Sequence, residues 1–208
     1  VRLTCVPADW EDWDAVGPLA KQACAHLELD RRFTALTLVL DDLAADEHPW
    51  LEFPGGGEAV LYAHPDQFRA VPSVAVSTLP ATLPWEMPPP RAADDPRRRF
   101  SASGAARFLH HHLLALADLA DGVVRPREIP AALAAAYQEV WSVSLDGRLR
   151  SRGLPGYPTA DRRRRFFRAF GVDGLLLPKH WDVFHAAWDE PAPDHARLLA
   201  WAKDLPRA

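Results

Sequence analysis

Three consecutive histidines, His110, His111 and His112, lie in the stretch RFLHHHLLALADLADG, residues 107–122. Imidazole ligates divalent metals and exchanges a proton near neutral pH, so such a run points to metal or acid–base chemistry if the spacing allows it. The flanks predict a helix, with Ser101 or Ser103 as N-cap and Gly122 as stop. At about 100° per residue, Ala106, Leu109, Leu113, Leu116 and Ala120 form an apolar stripe suited to packing on a sheet. His111 shares its side with Gly104, Arg107, Ala115 and Asp118. His112 lies a quarter-turn round, near Phe108 and Leu119, and His110 points the other way, beside Ala117 and Asp121. The three rings fan over roughly 200°, so at most two of them serve one ion.

Strands and one earlier helix would position this helix. VRLTCVP is β-rich and alternating, a first strand. ADWEDWDAVGPLAKQACAHLEL has helical spacing, with Trp13, Val16, Ala20, Cys24 and Leu27 on one side and Asp9 near its start. RFTALTLVLDDL is a second strand with Leu36, Leu38 and Leu40 on one face, and GGGEAVLYAHP a third after a glycine turn. VPSVAVSTLP reads as a fourth, confined by its prolines to an edge. A proline-rich connection follows at about 78–96, and then helices only: the histidine helix, IPAALAAAYQEVWSVSLDGRL leaving near Gly147, TADRRRRFFRAFG capped by Thr159 or Asp161, LPKHWDVFHAAWDE and PDHARLLAWAKDL. The expected fold class is α+β: a small mixed sheet of about four strands with one N-terminal helix packed on it, followed by a helical C-terminal half. Residues 1–208 are expected to form one domain, with 1–100 mainly strands plus one helix, 101–150 the two long helices, and 151–208 a helical extension.

A β-α-β-β-β order followed by a long helix with histidines at its middle resembles the N-terminal half of a zincin metallopeptidase. In that family the helix carries HExxH, two zinc ligands one turn apart with a glutamate that polarises the attacking water. Residues 111–115, HHLLA, give the best frame. His111 then matches the first ligand, His112 stands at the base position and Ala115 at the second ligand; no frame restores the motif. In the gluzincin branch a later helix supplies a third-ligand Glu and a carboxylate that orients a histidine. The resemblance implies Glu139 as that ligand and Asp146, two turns on, as that carboxylate, with zinc or another divalent metal between them. His112 could act as a base or swing in as a ligand beside His111 and Glu139. Asp118, on the side of His111, is a second outer carboxylate; its Cα is about 10 Å from that of His111, too far for shared ligation. The resemblance implies a zincin-like domain that has lost peptidase activity and binds a protein or small-molecule partner. Its first alternative is a divergent metal-dependent hydrolase using His111, His112 and Glu139.

Other chemistry is sparse. DPRRRF (95–100) and ADRRRRFF (160–167) set arginines beside phenylalanine, as some nucleic-acid surfaces do, and give phosphate or nucleic-acid binding as a second alternative. Consecutive arginines on a helix form a belt, so a solvated face with internal ion pairs outweighs it. GGGE lacks the Lys and Ser/Thr of a phosphate loop, and there is no GxSxG. A net charge of −4 gives no global pull towards nucleic acid or membranes. Two cysteines without CxxC, and no apolar run of membrane-spanning length, give the expectation of a cytoplasmic chain with no membrane partner, open to homodimer formation.

Overall fold

A computed structural model describes residues 1–41, 50–69, 99–171 and 175–205. The chain is α+β and divides into two compact units, Val1–Leu109 and His110–Ala208, with the boundary inside the histidine helix.

The first unit is built on a four-stranded mixed sheet. Strands β1 (Arg2–Val6), β2 (Ala35–Leu40), β3 (Trp50–Gly55) and β4 (Glu58–Ala63) are ordered β1-β2-β4-β3. The pairs β1–β2 and β2–β4 are parallel, and β3 runs antiparallel to β4 at an edge. Helix α1 (Trp13–His26) links β1 to β2 and packs on the sheet, burying Val16, Ala20, Ala23 and Cys24. Trp13 is only half-buried, and no side chain caps the helix start. Alternation in β4 buries Ala59, Leu61 and Ala63. In β2, Leu36 and Leu38 are buried while Leu40, at the strand end, is half-exposed.

The hairpin strand β3 was not among the expected strands. Pro54 cannot donate to a ladder and is tolerated because β3 is an edge, and the pairing is irregular between Glu52 and Gly55. Gly55, Gly56 and Gly57 all have positive φ, which is why this turn is glycine. The expected strand at 71–80 and the proline-rich connection lie outside the described residues. Phe68 packs on Trp10 and, edge-on, on Phe108 at 5.0 Å, which seats the first turns of helix α2 (Ala102–Ala120). Ser101 Oγ accepts from Gly104 N and supplies the cap.

The second unit is helical: the rest of α2, then α3 (Ala134–Ser151), α4 (Thr159–Phe170), α5 (Pro178–Asp189) and α6 (His195–Asp204). Helix α3 is its axis, buried on all sides from Val140 to Leu149 and packed on α4, α5 and α6. Gly147 does not end α3, as expected from sequence. The helix runs on to Ser151, and a Cβ at Gly147 would stand 2.0 Å from Trp188 O, so the glycine admits the backbone of α5. Along α2, Leu109, Leu113 and Leu116 of the expected apolar stripe are buried, Ala106 is half-buried and Ala120 exposed. No helix among the described residues is long and apolar enough to cross a membrane.

Candidate functional site

The histidine helix and α3 meet through a buried polar cluster in the second unit. His111 is 5% exposed, Asp146 0% and Arg162, from α4, 2%. His111 Nδ1 stands 3.1 Å from Asp146 Oδ1. Arg162 Nε donates to Asp146 Oδ2, and its Nη2 is 3.1 Å from His111 Nδ1 and 3.3 Å from Nε2. The backbone N–H of Tyr157 donates to Asp146 Oδ1 at 2.9 Å. Gly156 makes that approach feasible, because a Cβ there would sit 3.2 Å from Asp146 Oδ1 and 3.1 Å from Leu149 Cβ. Tyr157 lies edge-on to His111 at 5.3 Å, and the Arg162 guanidinium lies over its ring at 4.8 Å.

The electrostatics follow from burial. Burial opposes ionisation of Asp146, but His111 and Arg162 outweigh it and bring the carboxyl down to about 2. For His111 burial dominates: it favours the neutral ring, against the pull of Asp146 and with the push of Arg162. A neutral ring with Nδ1–H donating to Asp146 leaves Nε2 to accept from Arg162. A carboxylate holding Nδ1–H is also how proteins orient a metal-ligating histidine. Here, however, the free nitrogen faces a guanidinium. A cation approaching Nε2 would meet a fixed positive charge that already neutralises Asp146.

The other candidates are placed differently. His112 is half-buried, edge-on to His111 at 4.9 Å. Burial, then the proximity of His111 and Arg162, drives it well below the usual histidine range, which makes it a weak base. Glu139 is half-buried and its Oε2 has no hydrogen-bond partner among the described residues. Asp118 belongs to a separate pair: Arg148 Nη1 donates to Oδ1 at 2.9 Å, Arg148 Nη2 to Oδ2, and Trp141 Nε1 to Oδ2 at 2.8 Å. Among the described residues no three His, Cys, Asp or Glu side chains form a group that could hold a metal ion. His111, His112 and Glu139 are therefore not assembled as a ligand triad, and the donor set does not fit a zinc site, which needs about three protein ligands. Near the C-terminal ends of α3 and α5 a hollow of about 260 Å³ is lined by Gly147, Arg150, Ser151, Trp188, Asp189, Glu190 and Pro191.

Sequence reasoning brought Asp146 towards a histidine but overlooked Arg162, Tyr157 and Gly156. The signal for Arg162 is its period: Arg162, Phe166 and Phe170 recur at i, i+4 and i+8, the inner stripe of α4, while Arg163, Arg164 and Arg165 are exposed. Comparison with protein-family models, with curated proteins and with solved structures finds no match to this chain.

Proposed function

We propose that the chain is a zincin-like domain without peptidase activity, acting as a ligand- or partner-binding protein. The element order of the first unit and the His111–Asp146 pair support the likeness. The observation that carries the loss of activity is Arg162 against His111 Nε2, where a hydrolase would need a cation. Ala115 at the second ligand position and the unassembled triad add to it.

The test is metal content by inductively coupled plasma mass spectrometry on tag-free protein purified without chelator. The expected result is far less than one equivalent of zinc, nickel or manganese, unchanged in His111→Ala and Glu139→Ala, and no casein hydrolysis with added zinc. Near-stoichiometric metal that falls in both variants would put the divergent hydrolase in this reading's place.

A further inference from the structure

We propose that the exposed side of α4, with Leu175 and Leu177 ahead of α5, docks on an anionic lipid surface. Its arginines would lie at the lipid phosphates and Phe167, Leu175 and Leu177 below the headgroups.

Helix α4 has two sides of opposite character. Arg162, Phe166 and Phe170 turn inwards, whereas Arg163, Arg164, Arg165, Phe167 and Arg168 are exposed. Against those four cations the helix carries one acid, Asp161, whose contact with Arg164 is a loose 3.7 Å. Arg163 lies over the rings of Trp181 and Phe184, which fixes it near the surface rather than burying its charge. On α5, Lys179 pairs with Asp204 at 3.5 Å and Asp182 is three residues on, so the positive field belongs to α4.

The apolar component stands at the end of this face. Phe170 stacks on His180 at 6.1 Å, and Leu177 N donates to His180 Nδ1 at 3.0 Å, which sets the last turn of α4 beside the first turn of α5. At that junction Phe167 is 38%, Leu175 72% and Leu177 55% exposed, three of the five large apolar side chains on the described surface. Basic side chains flanking exposed aliphatic ones form the pattern of an interfacial helix, in which buried apolar area and attraction to anionic lipid act together. Single-stranded nucleic acid suits the face less well. Its bases bind by stacking on π-faces, and two of the three apolar groups are leucines. This surface is separate from the histidine cluster and does not depend on its assignment.

The test is co-sedimentation of the full chain with phosphatidylcholine vesicles, with or without one-third phosphatidylserine, in low and high salt. Phosphatidylserine should raise partitioning at least about tenfold, and high salt should reverse the gain. Arg164→Glu with Arg168→Glu should lower binding by about tenfold or more. Leu175→Ser with Leu177→Ser should lower it about threefold to tenfold at constant salt. All four positions are exposed, so circular dichroism should show unchanged folding. Equal partitioning on both vesicle types, or charge reversal without effect, would overturn the proposal. So would capture of an oligo-dT probe by protein that ignores the vesicles, which would give the face to nucleic acid instead.

Discussion

Two buried carboxylate–arginine pairs flank Gly147 on opposite sides of the same helix, and α3 plays opposite parts in them. It supplies Arg148 to Asp118 of α2, and Asp146 to Arg162 of α4. Each carboxylate is saturated by three donors, as a buried charge must be if its desolvation is to be offset. Their third partners differ. Asp118 is completed by the indole N–H of Trp141, which never gives up its proton. Asp146 has the Tyr157 N–H and the His111 ring, and the ring can change its charge. The first pair is therefore a fixed fastening. The second has a reserve of positive charge.

The largest disruption should come from the residue between them. Gly147→Ala drives a methyl into Trp188 O, a backbone atom held by α5 and unable to rotate away. Separating α3 from α5 would loosen both neighbouring pairs. A loss of about 4 kcal/mol or more is expected in urea unfolding, beyond the usual range for overpacking. A variant as stable as the parent would show that α5 is not seated as described.

Removing one arginine at a time separates the two pairs. Arg148→Met strands Asp118 with one neutral donor, and removal of one partner from a buried pair costs about 3–5 kcal/mol. Arg162→Met leaves Asp146 beside His111, which can protonate and take over the charge, so a smaller loss of about 2 kcal/mol is expected. Equal losses would mean that the histidine does not compensate. A histidine NMR titration reads the same point directly: in Arg162→Met the His111 resonance should titrate at higher pH than in the parent.

How much of this could be read beforehand follows the range of the forces involved. Local signals held: the Ser101 cap, the α1 face with Val16, Ala20 and Cys24, and the alternation of β4 all act within a few residues. Strand β3 went unread because Pro54 and the glycine turn mask a short edge strand. Gly147 was misread because glycine signals a helix stop locally, whereas its reason here is the α5 backbone, 41 residues on at Trp188. Arg162 was hidden in a run of like charges, and only its register with Phe166 and Phe170 marks it as inner. Glu139 follows from the family resemblance alone, and a resemblance in element order says nothing of convergence.

The smallest effect lies in the pH dependence of stability. In the parent protein burial, opposed by Asp146 and reinforced by Arg162 and Arg165, holds His111 below 6.5, and His112 lies lower still. The unfolded chain then binds more protons than the folded one below that value. Stability is complete above about 6.5 and falls as pH drops towards the folded pKa, at up to about 1.4 kcal/mol per pH unit for each proton. Asp146 acts later: folded at about 2 against an ordinary 3.8, its contribution persists above 3.8 and disappears as pH falls towards 2. In Arg162→Met one of the causes that lower His111 is gone, so its folded pKa rises towards the unfolded one and less stability is lost as pH falls. Urea midpoints at pH 7.5 and 5.5 should therefore fall on acidification in the parent. In Arg162→Met that fall should shrink. Parallel slopes in the two proteins would remove the reserve of charge assigned to the pair at Asp146.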